Sequence, residues 1–217
     1  MTSGLPRFQF YGRRKGKPLR RRHSDLMESL LPQVALDIAD PLANSAAPRW
    51  LEIGFGGGEH LAHQAQLHPG VALTGAEAFL NGVAKLLAEI EERGLRNVRV
   101  HYGDARALLE ALPDQSMERI YLLYPDPWPK ERQKKRRFVS PAALGHFHRV
   151  LTDDGLFLFA SDIPDYVNWT RDHVAAHGGF AEVGDPSQPF ADWTRTRYET
   201  KAIREGRTPA YLTFRKR

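Results

Sequence analysis

One aspartate lies between two prolines just after an apolar run, and this aspartate is the first candidate for a functional residue. Asp126 belongs to the segment YPDPWPK, residues 124–130, which follows the apolar residues 120–123. Prolines fix φ and remove backbone donors, so we expect a stiff loop. Trp128 follows, and six of the eight residues 130–137 are Lys or Arg. A fixed carboxylate, an aromatic ring and a cationic run together predict a site that holds a nucleobase and its phosphates.

A glycine-rich turn, residues 54–58, follows an earlier apolar run that contains Glu52. Its glycines allow the backbone to approach a ligand closely. The dinucleotide fingerprint G-x-G-x-x-G would need a glycine at position 59, which is Glu59. A carboxylate there would compete with a pyrophosphate for the amides of the helix N-terminus. The turn therefore favours a ligand without a pyrophosphate, such as S-adenosylmethionine, although a plain tight turn is the alternative.

Acidic residues recur where successive parallel strands are predicted to end, the edge at which open α/β sheets bind ligands. A single acid of this kind could simply cap a helix, but five are difficult to explain by capping. We interpret Glu77 as an acceptor for ribose hydroxyls and Asp104 as an acceptor for an adenine amine. The five acids are Glu52, Glu77, Asp104, Asp126 and Asp162.

Short apolar runs alternate with amphipathic segments from residue 49 onward, which predicts an α/β fold with a mostly parallel sheet. The clearest helix is expected over 79–93, and another should begin at Ser140-Pro141 and end near residue 150. Residues 153–155 are expected to turn the chain into the next strand. The last strand follows its predecessor too closely for a crossover, so it should be antiparallel. Strands are expected near 49–53, 71–76, 98–102, 118–124, 156–161, 180–183 and 210–215.

The domain organisation predicted is one domain over residues 24–217 behind a basic arm, residues 1–23, that is disordered when free. Ser24 is expected to cap the first helix, which Pro32 interrupts. Residues 40–48 are expected to be a linker. The sequence leaves open whether the chain is a monomer or a homodimer.

The charge of this 217-residue chain is unevenly distributed. Residues 1–22 carry a net +8 and residues 130–137 a net +5, so with a total of +5 the rest stands at −8. Two basic segments on an acidic body favour a polyanionic partner, although any single run is often just a solvated face. There are no cysteines, and the histidine spacings suit no zinc site, so we expect no metal. No apolar run is long enough for a membrane span, and cytoplasm is the expected location.

Taken together, these motifs resemble the bacterial tRNA (guanine-N7-)-methyltransferases over residues 20–214. The most specific part is PDPW-x-K with the basic run behind it; E-x-G-x-G-x-G at 52–58, GDA at 103–105, SD at 161–162 and TRTRYE at 194–199 add support. The resemblance implies a Rossmann-like class I S-adenosylmethionine-dependent methyltransferase. Its expected sheet has seven strands, mostly parallel, with the last strand antiparallel. Members methylate a guanine in the variable loop of tRNA to give 7-methylguanosine.

The resemblance also implies roles for individual residues. Departures are Tyr124 where Phe is usual, and Arg197 and Tyr198 in place of Lys and Phe. Asp126 is our expected catalytic residue. The implied S-adenosylmethionine contacts are Glu52, Gly54, Gly56, Gly58, Glu77, Asp104, Ala105 and Asp126; the substrate contacts are Lys130, Asp162, Thr196, Arg197, Tyr198 and Glu199; and the tRNA contacts are Arg132, Gln133, Lys134, Lys135, Arg136 and Arg137.

The chemistry of guanine limits what Asp126 has to do. The N7 atom carries a free lone pair at neutral pH, so alignment and exclusion of water matter more than a general base. We interpret Asp126 as an acid that orients guanine or the methionine amino group. Trp128 could be a stacking platform or a core residue. The alternatives are a methyltransferase for another RNA or DNA base, and a noncatalytic RNA-binding protein on the same fold.

Overall fold

A seven-stranded sheet forms the centre of the computed structural model, which describes residues 11–12, 14–42 and 47–217. Predictions about residues 1–10, 13 and 43–46, which include parts of the arm and the linker, lie outside the described residues. The strand order is β3-β2-β1-β4-β5-β7-β6. The strands are β1 Arg49–Ile53, β2 Ala72–Glu77, β3 Val98–Tyr102, β4 Met117–Leu123, β5 Leu151–Ser161, β6 Phe180–Val183 and β7 Ala210–Lys216.

The pairing confirms the predicted sheet, but the reason given for an antiparallel last strand was wrong, because a helix, Arg197–Arg204, lies between β6 and β7. Strands β3, β2, β1, β4 and β5 pair in parallel, and β7 runs antiparallel to both β5 and β6. One boundary differs by more than one residue, because β5 begins at Leu151 rather than near residue 156. The register of β4 and β5 shifts between Met117 and Arg119, and Asp154 takes a φ of 61°. The turn predicted at 153–155 is therefore an irregularity inside a strand.

Helices cover both faces of the sheet. The helices are α1 Arg21–Ser29, α2 Leu31–Val34, α3 Glu59–Leu67, α4 Leu80–Arg93, α5 Ala105–Ala111, α6 Pro141–Val150, α7 Pro164–His177 and α8 Arg197–Arg204, with a 3₁₀ helix at Glu131–Arg136. One core lies under α5, α6 and α7, and the other under α1, α3 and α4. The predicted start of α6 is confirmed, because the Ser140 hydroxyl accepts from the Ala143 amide at 3.3 Å.

The start of α1 was predicted wrongly. The helix begins at Arg21 after Arg20, so Ser24 lies inside it rather than at its cap. The physical reason is tertiary, since Arg22 forms ion pairs with Glu91 and Glu92 of α4 at 3.1 and 2.7 Å. Such pairs favour extension of the helix into the basic segment.

The chain just before α1 lies against the start of α4. The Leu80 amide donates to the Arg14 carbonyl at 2.9 Å, and the Gly16 amide donates to Asn81 Oδ1 at 2.8 Å. Asn81 Nδ2 donates in turn to the Lys17 carbonyl at 2.8 Å. In the described ranges, no helix is long and apolar enough to cross a membrane.

Candidate active site

A cavity of about 670 Å³ opens at the carboxyl ends of β1, β2, β3 and β4. This is the switch point of the strand order, where the crossovers leave in opposite directions and open α/β sheets bind ligands. Its wall combines apolar strand ends with acids, glycines and aromatic rings. The wall includes Gly54, Gly56, Glu77, Asp104, Ala105, Asp126, Trp128, Arg136, Phe138 and Tyr198.

The glycine loop is fixed to the end of β2 by Glu77. Its Oε2 accepts from the Gly56 amide and its Oε1 from the Phe79 amide, both at 2.9 Å. Burial raises the pKa of the Glu77 carboxyl, and the amide hydrogen bonds oppose that rise. A carboxylate has about four acceptor positions, so Glu77 retains capacity for a further donor beside the amides of Gly56, Phe79 and Ala78.

Gly54 and Gly56 line the cavity with φ values of 69° and 57°, a region that favours glycine. Gly58 does not belong to the wall. It precedes α3 with a φ of 81°, and a Cβ atom there would lie 2.7 Å from Leu86 Cδ1. Its role is therefore helix packing.

Asp104 both caps a helix and borders the cavity, although the sequence suggested these two roles as alternatives. Its side chain caps α5 by accepting from the Arg106 amide at 3.0 Å, and it also lines the cavity. Ala105 follows it in the wall and is buried. The cap holds the carboxylate at the cavity edge.

The loop after β4 carries Asp126 on the exposed side of the cavity wall. Two of its residues adopt positive φ although neither is glycine, Tyr124 at 48° and Trp128 at 41°. Such conformations cost energy and concentrate at functional sites, where surrounding contacts hold them. Trp128 lies in the cavity wall rather than in the core, and the Arg136 guanidinium lies 4.9 Å from its ring centroid.

Glu52 is not brought to the cavity wall. Its carboxylate is buried on the opposite face of β1 from Ile53, where Oε2 lies 2.7 Å from Nδ1 of the buried His60. The expectation that Glu52 contacts the cofactor with its side chain is therefore not met by this geometry.

Two predicted substrate acids are already paired within the protein. Asp162 forms an ion pair with Arg207. The buried Glu199 accepts from Trp193 Nε1 at 2.8 Å and from the Tyr211 hydroxyl at 2.6 Å. Neither acid lines the cavity.

The rest of the predicted substrate set lies at the cavity mouth or outside it. The Thr196 hydroxyl caps α8 by accepting from the Glu199 amide at 3.2 Å. Tyr198 lines the cavity, and Arg197 Nη2 lies 3.4 Å from its hydroxyl. Lys130 is exposed and precedes the 3₁₀ helix, outside the cavity wall.

The basic run does not present one continuous row of cations. Arg132 and Lys135 are exposed, and Gln133 is half-buried. Lys134 forms ion pairs with Glu131 and Asp165 at 2.9 and 3.1 Å, whereas Arg136 turns toward the cavity.

Arg137 is buried, unlike the other residues expected to contact tRNA. Its side chain has no exposed surface, so it cannot contact a phosphate without leaving the interior. The physical reason is a set of internal acceptors, among them the Pro127 carbonyl at 2.8 Å and the Asp165 carboxylate.

Several residues of the site were not found from the sequence. Tyr11 and Gly12 of the basic arm line the cavity, as do Phe79, Arg106 and Phe138. Trp193, Tyr211 and Arg207 hold the two predicted substrate acids. Proximity to the motifs could have indicated Phe79, Arg106 and Phe138, but nothing in the sequence marks the others. In residues 11–12, 14–42 and 47–217, no group of three or more His, Cys, Asp or Glu side chains could hold a metal ion.

The strand order, the antiparallel β7 and the glycine loop beside an acid-lined cavity define a Rossmann-like class I methyltransferase. The fold matches the 16S rRNA methyltransferase KamB with a TM-score of 0.57 and 17% identity, over 93% of this chain and 97% of that one. It also matches precorrin-6y C5,15-methyltransferase from Geobacter metallireducens, with a TM-score of 0.52 and 14% identity over 83% and 86% of the chains. A family model described as "Putative methyltransferase" matches residues 46–212.

Similarity to curated proteins identifies the family. The chain is 52% identical to a tRNA (guanine-N(7)-)-methyltransferase of Agrobacterium fabrum, over 96% of this chain and 95% of that protein. A protein of the same name from Ruegeria pomeroyi is 49% identical over 99% and 97% of the chains. The chain belongs to the family of tRNA (guanine-N(7)-)-methyltransferases.

Proposed function

We propose that this protein transfers a methyl group from S-adenosylmethionine to N7 of a guanine in the variable loop of tRNA, forming 7-methylguanosine. The observation that carries the proposal is the similarity to relatives named tRNA (guanine-N(7)-)-methyltransferase. About half of the residues are identical, over almost the full length of both chains. The cavity supports the same conclusion, because it sets acids and an aromatic ring beside a glycine loop. A monomer or homodimer in the cytoplasm is part of the proposal.

The residues present suit S-adenosylmethionine. The Glu77 carboxylate lines the cavity and has acceptor capacity beyond its backbone hydrogen bonds, and ribose hydroxyls are suitable donors to it. Asp104 at the end of β3 can accept from an adenine amine, and Ala105 next to it adds an apolar surface for the base. A Cβ atom at Gly54 would meet nothing within 4 Å, so the backbone there faces open space that a ligand can fill. When bound, this cofactor supplies a methyl group on a positively charged sulfonium.

The protein's own residues then have to align and enclose the reacting atoms. Guanine N7 needs no general base, so the main contributions are orientation and exclusion of water. Asp126 is placed at the cavity rim, where it can accept hydrogen bonds from guanine or from the methionine amino group. Trp128 offers an aromatic surface on the same rim. Exposure of Arg132 and Lys135 supports assigning them to tRNA phosphates.

The test uses labelled S-adenosylmethionine and two tRNA transcripts that differ in the variable loop. The first keeps its guanine, and the second carries adenine in its place. We expect label in 7-methylguanosine from the first transcript and none from the second. Label in another nucleoside would support a methyltransferase for a different base, and tRNA binding without any transfer would support a noncatalytic RNA-binding protein; either result overturns the proposal.

A further inference from the structure

A buried arginine supports the middle of the loop that carries Asp126. Arg137 Nε donates to the Pro127 carbonyl at 2.8 Å, and Pro127 lies between Asp126 and Trp128. The same guanidinium binds the Asp165 carboxylate through Nη2, and Nη1 lies 3.4 Å from the Asp165 carbonyl. One side chain therefore connects the loop after β4 to the N-terminus of α7.

Aromatic rings complete the enclosure of this guanidinium. Its central carbon lies 4.7 Å from the centroid of the Tyr166 ring and 5.1 Å from that of Trp169. Both rings belong to α7, and cation–π contacts of this kind strengthen when they are shielded from water. Arginine suits the position because its rigid planar fork points donors at several fixed acceptors while its flat face stacks on a ring; the lysine ammonium has three donors but no planar face.

The chain that follows Arg137 is fixed by the same helix. The Tyr166 hydroxyl accepts from the Phe138 amide at 3.0 Å, and Trp169 Nε1 donates to the Val139 carbonyl at 2.9 Å. Phe138 lines the cavity. Helix α7 thus holds both the guanidinium and the backbone beside it, so the position of the Arg137 side chain is fixed.

The loop over residues 124–130 needs such support because its own backbone can form few hydrogen bonds. Prolines at 125, 127 and 129 contribute no backbone donors. Backbone hydrogen bonds hold its ends, from the Tyr124 amide to the Ala160 carbonyl and from the Gln133 amide to the Lys130 carbonyl. Trp128 in the middle holds a φ of 41°, a strained conformation that persists only when its surroundings determine it.

We propose that Arg137 is a positioning residue that fixes Asp126 and Trp128 at the cavity rim, and not a contact of tRNA. This inference rests on the proposed function for its catalytic consequence. Its direct consequence, a rigid loop over residues 124–130, does not depend on the substrate. The exposed Arg132 in the same basic run is the matched control, since it has the same side chain in the opposite environment.

The first readout is the salt dependence of tRNA affinity. A side chain that binds a phosphate contributes about one unit to the slope of log Kd against log salt concentration. Arg132→Gln should therefore weaken binding and reduce the slope by about one. Arg137→Gln should leave the slope unchanged, because the native side chain is inside the protein.

The second readout is the rate of methyl transfer in a single turnover, at saturating S-adenosylmethionine and tRNA. Displacement of a reacting group by about 1 Å can cost about 10²-fold in rate. We expect a loss of that size for Arg137→Gln, and a smaller loss for Arg137→Lys, which keeps the charge and can reach fewer acceptors.

The third readout is the fast backbone mobility of Asp126 and Trp128, measured as ¹⁵N NMR order parameters, which needs no substrate. The order parameters should fall in Arg137→Gln and stay at the wild-type value in Arg132→Gln. If the wild-type protein fails to methylate tRNA while this difference persists, the proposed function fails and the positioning role stands.

Two outcomes would overturn the positioning role. One is an Arg137→Gln protein with a reduced salt slope and wild-type order parameters at Asp126 and Trp128, since Arg137 would then behave as a phosphate contact. The other concerns stability: if Arg137→Lys is unfolded where the wild-type protein is folded, Arg137 serves the fold as a whole rather than the loop.

Discussion

The Gly56 amide donates to the Glu77 carboxylate at 2.9 Å and so ties the glycine loop after β1 to the end of β2. The second carboxylate oxygen accepts from the Phe79 amide at the same distance. Both oxygens therefore accept from backbone donors, and the residue also lines the cavity. A single side chain sets the shape of the loop and presents acceptors to a ligand.

Replacement of Glu77 by Gln should weaken S-adenosylmethionine binding. In either orientation the amide nitrogen of Gln faces a backbone N–H, so one donor loses its acceptor and the loop must shift. Lost hydrogen bonds to charged groups cost about 1.5–3 kcal/mol, which corresponds to a roughly 10–100-fold rise in Kd. Calorimetric titration with S-adenosylmethionine measures this Kd. The control is Glu89→Gln on the outer face of α4, where Glu89 pairs with Arg93; equal affinity for both variants would contradict the assignment of Glu77.

Loss of either donor to the buried Glu199 should destabilise the protein. Trp193→Phe and Tyr211→Phe each leave one carboxylate oxygen without its partner at 2.8 or 2.6 Å. Such a loss costs about 1–3 kcal/mol in the free energy of unfolding. Tyr198→Phe is the control, because its hydroxyl is on an exposed residue and a change within about 0.5 kcal/mol is expected. Urea denaturation measures the free energy of unfolding of each variant. No difference from the control would mean that these contacts contribute nothing to stability.

The sequence predicted the sheet well because each strand is a short apolar run and each loop is marked by Gly, Pro or acids. It also predicted the edge at which the site forms, since the ends of parallel strands meet there. Gly54, Glu77, Asp104 and Asp126 line one cavity on this basis.

The environments of single side chains could not be predicted in the same way. Arg136 and Arg137 are neighbours in one basic run, yet the first lines the cavity and the second is buried. The difference comes from Asp165, which is 28 residues away in sequence. Charge and spacing do not encode such a distant partner. Glu52 differs, because strand alternation alone could have placed it on the face opposite Ile53, where it meets His60, eight residues away.

Asp126→Asn should slow methyl transfer without moving its pH dependence. If Asp126 orients the reactants, loss of its charge should reduce the single-turnover rate by about 10²-fold or more. The wild-type rate should be flat between about pH 6.5 and 8.5, because N7 needs no proton acceptor. Stopped reactions at several pH values measure both quantities, with the exposed Asp172→Asn on α7 as control. A wild-type rate that rises with pH across this range would favour a general base instead.

Histidines should make the fold less stable in mild acid. Burial lowers the pKa of His101 and of His146 below the ordinary value of 6.5. Below pH 6.5 the unfolded chain therefore takes up protons that the folded protein does not, and stability that is complete above this pH is lost as the pH falls. Urea midpoints should decrease from about pH 7.5 to 5.5, and less steeply in His146→Gln. A midpoint that does not depend on pH would contradict this linkage.

A pair of glycine substitutions separates packing at the site from helix propensity. Gly82 lies in α4 under the glycine loop, and a Cβ atom there would lie 2.2 Å from the Gly56 carbonyl oxygen. Because the obstacle is backbone, Gly82→Ala must move α4 or the loop, which should cost about 1–3 kcal/mol in the free energy of unfolding and also weaken cofactor binding.

Gly145 lies in α6 with no heavy atom within 4 Å of its Cβ position. Gly145→Ala should therefore stabilise the protein by about 0.5–1 kcal/mol through helix propensity alone, with unchanged cofactor affinity. Because the same atoms are added to a helix in both variants, the opposite signs isolate the contact between α4 and the glycine loop. If Gly82→Ala were also stabilising, the close approach of α4 to the glycine loop would have no energetic consequence, and the loop would be held by its hydrogen bonds to Glu77 and Ala76.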